Sequence, residues 1–390
     1  MKVLISCMAA MAETSGPSSR SRALTKELID SGFEAATCMA EDVNYKALEE
    51  IHNFFLDVPM PMGMPAPVST HMFPFAQKIG VTSKKTVASF DQVLKLTGNL
   101  EYGYLRKSVD SVRSAIAQYK PDILYSEFNL SAIIASKLEN IPVFTTVSYP
   151  ASHAYANDPK LAKGLNRLLA EYGIPEVESA LKVFGWADRR FCPSIRELEP
   201  IDDKDVRFLG TFKKVETKDI RRDKILVYMG NGTVSAKATL KAVSGAFSGS
   251  GYEVYLASSY LAEGTEGNIH IALRWDFDEL LDASVLFINH GGQNSIADGL
   301  LHGVPQIVVP GKVFERQYNA QSILTNGAGV TISHKLFNAD TLKIASDKVI
   351  GSEDMAANAK VLGAKLMSQG GVKVIINAME NFAQEEGLNT

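Results

Sequence analysis

Cysteine is scarce in this chain. Cys7, Cys38 and Cys192 are all there are, too few and too widely spaced for a disulfide framework or a zinc site, so they read as buried thiols of a reducing compartment. Long apolar runs are also missing. The opening Val3-Leu4-Ile5 is too short for the core of a signal peptide, and no later run approaches the ~20 residues that cross a bilayer. The expected place is the cytoplasm, with no stable membrane insertion. Charge of one sign is lacking too: 40 Lys and Arg stand against 44 Asp and Glu, for a net charge of -4. Such a balance offers no basic field to phosphate backbones or anionic lipid, which sets aside nucleic acid and membrane surfaces as main partners.

What is present is a chain of 390 residues, 46% hydrophobic, enough for two cores at ~150 residues per domain. Val3 to Ser6 is a short apolar run followed by a small-residue loop. Arg20 to Ser31 then carries Ala23, Leu24, Leu28 and Ile29 at helical spacing before Gly32. Similar units recur at Asp122 to Tyr125 with a helix over Leu130 to Leu138, at Val143 to Val147, and at Arg190 to Cys192. Repeated strand, loop and helix units predict a parallel sheet with crossover helices. Thr211 to Lys224 (TFKKVETKDIRRDK) is polar and reads as a linker, after which Ile225 to Met229, Tyr252 to Leu256 and Val285 to Asn289 restart the pattern.

The predicted fold is therefore α/β, with two Rossmann-like domains over residues 1–210 and 225–370 facing a central cleft, and a last helix in 371–390 crossing back to the first domain. Ligands belong where strand ends face that cleft. Val58 to Pro67 (VPMPMGMPAP) cannot be regular structure, because each Pro removes a donor and restrains its predecessor. It is either a surface loop or an adaptable apolar wall.

The segment richest in chemistry runs from Val285 to Val330. A strand enters His290-Gly291-Gly292, and a helix follows near Asn294 and Ser295. Two glycines let backbone amides approach a ligand, the helix start favours a phosphate, and His290 can add a hydrogen bond or positive charge. The alternative is a tight turn with Ser295-x-x-Asp298 as a capping box.

This segment, with Gly303-Val304-Pro305, Pro310, Glu315-Arg316-Gln317-Tyr318-Asn319-Ala320 and Gly327 to Gly329, resembles the donor signature of family 1 glycosyltransferases. These are GT-B enzymes that include the bacterial macrolide and natural-product glycosyltransferases. More distantly, the segment is similar to the peptidoglycan-precursor N-acetylglucosaminyltransferase. The likeness spans roughly fifty residues and is looser in the N-terminal half.

The resemblance implies a UDP- or dTDP-sugar donor, a small-molecule acceptor and transfer with inversion. No organic cofactor and no obligatory metal are expected, because the helix start and His290 already meet the phosphate charge; a homodimer is kept as a candidate assembly. His290 would contact the diphosphate, with Gly292, Asn294 and Ser295 as donors to it and Gly291 shaping the turn. Asp298 stands where the family has a ribose-binding Glu, and Glu315 where it has the acid that holds sugar hydroxyls. Arg316 replaces the family's Gln, which falls one place later at Gln317. Gly230-Asn231-Gly232-Thr233 resembles the family's loop against the phosphate, or is a plain turn. Trp275 lies near the family's base-stacking element without spelling it, and is a stacking platform or a core residue.

Asp276-Phe277-Asp278 spells the D-x-D of metal-dependent glycosyltransferases of another fold, but a polar helix start is the better reading. In the N-terminal loop the family's catalytic His is replaced by Pro17, which cannot take a proton. Ser18, Ser19, Arg20 and Arg22 at the helix start are candidates for an anionic acceptor or donor phosphates, or are solvated. Glu127, after the strand from Asp122, lies near the place of the family Asp that partners the missing His. It is a candidate base, since burial there could raise its pKa, or a structural acid. His52, His71 and His153 stand alone and read as structural. Two other functions remain: a non-catalytic sugar-nucleotide-binding partner of another transferase, and, third, a GT-B-like sugar-nucleotide epimerase.

Overall fold

In a computed structural model the described residues are 1–9, 15–41, 46–61, 86–156, 158–218, 220–230 and 233–387. They form two seven-stranded sheets. The first contains β1 (Lys2–Cys7), β2 (Glu34–Met39), β3 (His52–Phe55), β4 (Ile123–Glu127), β5 (Val143–Thr146), β6 (Arg189–Cys192) and β7 (Val206–Phe208), in the order β3-β2-β1-β4-β5-β6-β7. All its pairings are parallel. The second contains β8 (Lys224–Tyr228), β9 (Glu253–Ala257), β10 (Gly264–Glu266), β11 (Ile269–Ala272), β12 (Ser284–Asn289), β13 (Gln306–Val308) and β14 (Gly329–Thr331). Its order is β10-β11-β9-β8-β12-β13-β14, and only the β10–β11 edge pair is antiparallel.

Both sheets follow the doubly wound plan, whose ligand crevice opens where the strand order reverses. Those places are the C-terminal ends of β1 and β4 in the first sheet, and of β8 and β12 in the second. The strands there are buried on both faces, as parallel sheets between helices require. Every residue of β4 is buried, as are Val3 to Cys7 of β1 and Leu286 to Asn289 of β12.

Six helices matter for the site: α1 (Ser15–Asp30), α2 (Leu130–Glu139), α3 (Phe277–Asp282), α4 (Gln293–Leu301), α5 (Phe314–Thr325) and α6 (Val372–Glu385). Helix α1 starts five residues before the apolar pattern from Arg20 suggests, because Pro17 is its third residue. The first turn needs no intrahelical N–H, so proline costs nothing there. Consequently Arg20 sits in the second turn and not at the helix start. Helix α6 packs on the first sheet, where Ile375, Met379 and Phe382 share a core with Val3, Ile5, Tyr125, Phe144 and Phe191. The segment before β8 is fastened at one end: the amide of Gly371 donates to the Leu209 carbonyl at 2.9 Å, and a Cβ on Gly210 (φ +73) would lie 1.8 Å from the Leu366 carbonyl oxygen. Among the described residues no helix is long and apolar enough to cross a membrane.

Candidate functional site

A set of buried amides fixes the corner after β12. Asn289 accepts the Gly291 amide at 2.9 Å and donates to Gln306 at 2.7 Å; Gln306 donates to the Ile296 carbonyl at 3.0 Å, and Asn319 to the Gly291 carbonyl at 2.8 Å. Gly291 has φ +84, and a Cβ there would lie 2.9 Å from the Arg316 carbonyl oxygen. Only glycine meets both conditions.

His290 is folded inward. Its Nδ1 is 3.4 Å from the Tyr228 carbonyl oxygen, and its ring stands edge-on to Tyr228 at 5.3 Å. A Cβ on Gly230 would come to 3.0 Å from the imidazole, and one on Gly292 to 2.7 Å. The ends of β8 and β12 therefore meet over this ring. Burial, then the charge of Arg316, lowers the His290 pKa to about 3. Burial thus favours the neutral imidazole, which fits the hydrogen-bonding alternative of the two roles expected for His290. Arg316, in the first turn of α5, donates from Nη1 to the Thr233 hydroxyl at 2.8 Å. Asn231 and Gly232 lie outside the described residues.

Helix α4 begins at Gln293 with Gly292 as its N-cap and no side-chain cap. Asp298 is the sixth residue of the helix, so the capping-box alternative for Ser295 and Asp298 does not hold. Ser295 is buried, while Asn294 is exposed. Asp298 receives Lys213 Nζ at 3.0 Å, and burial pushes its carboxyl above the usual range against the pull of Lys213. Lys213 also pairs with Asp278. Asp278 in turn faces His302 Nε2 at 3.1 Å, whose Nδ1 is 2.7 Å from Asp282. Asp276 caps α3, accepting the amides of Asp278 and Glu279 at 3.0 and 3.1 Å. The two acids of the D-x-D are thus a helix cap and an ion-pair partner. Trp275 donates its indole N–H to the Leu256 carbonyl at 3.2 Å and packs edge-on against Tyr255 at 5.1 Å.

Across the cleft, Glu127 at the end of β4 is 0% exposed. Its Oε1 accepts from Arg20 Nε at 2.7 Å and lies 2.6 Å from Nη2, and its Oε2 accepts from Thr146. Burial lifts its pKa, and Arg20 and Thr146 offset only part of that. With both oxygens engaged and none exposed, Glu127 is the counter-ion of Arg20. This arrangement is that of the structural acid, the alternative to a base that takes the acceptor proton.

Arg20 extends Nη1 to Gln293 Oε1 at 3.3 Å, and Gln293 Nε2 donates to Glu199 at 3.0 Å. Glu199, also buried, accepts the Tyr149 amide at 2.7 Å. The first residue of α4 is therefore held from both sides by the first domain. Beside it a cavity of about 400 Å³ is lined by Ser19, Arg20, Lys213, Gln293, Asn294 and Asp298 among others. Glu315, partly exposed, faces the Gln293 amide, and burial raises its pKa.

Three candidates stand apart. Arg22 turns to the Lys46 carbonyl at 3.0 Å. Gln317 is exposed and donates to the Gly311 carbonyl at 3.0 Å, and Ser18 is buried in α1. His52 stacks on Phe54 at 4.4 Å; His71 lies outside the described residues. Sequence reasoning missed Asn289, Gln306, Glu199 and Lys213, and gave Gln293 and Asn319 no role. Asn289 was accessible, since Asn two residues before a glycine commonly closes a turn on its backbone. Nothing local marks Lys213 or Glu199.

Two Rossmann-like domains that face each other across a cleft, with a glycine corner and a helix start at the second sheet's switch point, define the GT-B architecture. Known proteins agree. Residues 261–382 match the family described as erythromycin biosynthesis protein CIII-like, C-terminal domain. The chain is 32% identical over 146 residues to an uncharacterized UDP-glucosyltransferase of Bacillus subtilis, covering 36% of this chain and 37% of that one. It is 29% identical over 92 residues to tylactone mycaminosyltransferase of Streptomyces fradiae, covering 24% of this chain and 20% of that one.

These sequence matches thus span from a fifth to a little over a third of their relatives, while likeness of fold runs through the whole chain. The structure of a calicheamicin glycosyltransferase superposes with a TM-score of 0.74 at 15% identity, covering 98% of both chains. A glycosyltransferase in complex with dTDP superposes at 0.73 and 13% identity, covering 99% of this chain and 100% of that one. The resemblance to family 1 natural-product glycosyltransferases holds in sequence over residues 261–382, and the likeness of fold runs throughout.

Proposed function

We propose that this chain transfers a sugar, with inversion, from a UDP- or dTDP-sugar to a small-molecule acceptor held by the first domain. The observation that carries the reading is the corner His290 to Ser295 at the switch point of the second sheet, opening on the ends of β1 and β4. The nucleotide would lie along the start of α4, with the Asp298 carboxylate toward the ribose and the amides after Gly292 toward the phosphates. Glu315 would face the sugar hydroxyls. In the reaction the acceptor oxygen bonds to the anomeric carbon from the face opposite the leaving group. The bond from that carbon to the phosphate oxygen breaks, and its electron pair leaves with the nucleoside diphosphate.

With Pro17 in the usual place of a base and Glu127 engaged by Arg20 among the described residues, the acceptor that fits this reading brings an oxygen acidic enough to lose its proton to solvent, such as a phenol. The test is to incubate the purified chain with UDP- and dTDP-sugars and a series of phenols of falling pKa, following product and anomeric configuration by NMR. Inverted product whose rate rises with phenol acidity supports the reading; a retained anomer overturns it. The same two residues favour a second reading, a sugar-nucleotide-binding partner of another transferase. Nucleotide-sugar binding without turnover on any acceptor would select it.

A further inference from the structure

We infer that Arg316 supplies the positive charge against which the diphosphate departs, the part that a metal ion or a protonated histidine would otherwise play. This rests on the sugar-transfer reading, because it names what meets the leaving group at that same site.

Position comes first. Residue 316 is pressed against the corner itself, its carbonyl oxygen being 2.9 Å from where a Cβ of Gly291 would stand. Its side chain crosses to the loop after β8, where Nη1 is 2.8 Å from the hydroxyl of Thr233. Thr233 is 6% exposed and is seated against Gly311, where an added Cβ would fall 3.0 Å from it. The guanidinium is thus anchored between the ends of β8 and β12, where a doubly wound sheet receives phosphates.

The other charges of the cleft point the same way. His290 is neutral. Arg20 is bound to Glu127, and Lys213 to Asp278 and Asp298. Glu315, next in sequence, faces the Gln293 amide and also acts on Arg316 through its charge, which helps keep the guanidinium cationic in its buried place. Breaking the sugar–phosphate bond puts one more negative charge on the terminal phosphate. A planar guanidinium, always cationic, can hold two of its oxygens at once.

The test compares wild type, Arg316→Gln, Arg316→Lys and Thr233→Val for binding of inorganic pyrophosphate, UDP, dTDP and the uncharged nucleosides, and for turnover. Arg316→Gln should weaken pyrophosphate and nucleoside diphosphates at least about tenfold and slow transfer about 100-fold or more, leaving nucleoside affinity unchanged. Arg316→Lys should recover part of this, and Thr233→Val, which removes the hydroxyl that accepts from Nη1, should show a smaller loss of the same kind. In Arg316→Gln the His290 imidazole, followed by NMR, should titrate at higher pH than in wild type, while Arg316→Lys, which keeps the charge, should hold it near the wild-type value; an equal rise in both variants would report loss of packing instead. Diphosphate affinity and turnover both unchanged in Arg316→Gln overturn the inference, as does a wild type that binds no pyrophosphate. If Arg316→Gln abolishes pyrophosphate binding while wild type transfers no sugar, Arg316 stands as the diphosphate ligand and the transfer reading falls alone.

Discussion

Arg20 and Glu127 left water together, and each is tolerable only because of the other. Removing one partner of such a pair leaves a buried charge uncompensated, which costs about 3–5 kcal/mol. Glu127→Gln keeps the shape and removes the charge, so its expected effect is a loss of about 3 kcal/mol in denaturant melts with diphosphate affinity little changed. Unaltered stability with a 100-fold slower reaction would instead restore Glu127 as a base. His290 makes a prediction of opposite sense. The unfolded chain protonates this residue near its ordinary 6.5, whereas the folded chain resists protonation until about 3. Stability owed to neutral His290 is therefore full above 6.5 and declines as pH falls toward 3. Comparing unfolding free energies of wild type and His290→Gln from pH 7 to 4 should show the wild type losing ground to the variant; parallel curves would mean a freely protonated His290.

Among the elements, the parallel strands announced themselves, because both of their faces are buried and their sequences are continuous apolar runs. β1, β4, β8 and β12 fall within a residue or two of where those runs lie. β2 did not, since Glu-Ala-Ala-Thr-Cys-Met has small residues and little contrast. The helix over Tyr102–Tyr119 was overlooked although Leu105, Val109, Val112 and Ile116 lie on one face. The glycine corner was legible because its constraints are local. Gln293, Glu199 and Lys213 were not: their partners lie 94 residues away for Gln293 with Glu199 and 85 for Lys213 with Asp298, and only the fold brings them together. Lys213 belongs to the connection between the domains and occupies the carboxylate assigned to ribose. If ribose must displace it, Lys213→Met should tighten nucleoside diphosphates by up to about fivefold, the worth of a partly exposed ion pair of about 1 kcal/mol. Pyrophosphate binding should not change; equal weakening of both in a calorimetric titration would make Lys213 a phosphate ligand.

At the scale of the molecule, the domains are joined by side chains as well as by the connecting segment. Gln293 touches Arg20 and Glu199 from the first residue of the helix that would hold the phosphates, so the gap between the sheets and the helix start are mechanically one unit. Gln293→Ala should let both loosen together, seen as faster amide exchange in α4's first turn and around Glu199; faster exchange in α4 alone would separate them. Helix α6 binds the halves in another way. Its Phe382 meets Phe144 edge-on at 5.5 Å, and its apolar face closes the core on one side of the first sheet. A ribosome that has completed β7 has therefore not completed the first domain. That face stays open while the whole second domain is made, and closes only when the residues from Val372 emerge. The half made first is the half finished last, and its uncovered core is what a chaperone would have to guard in the interval.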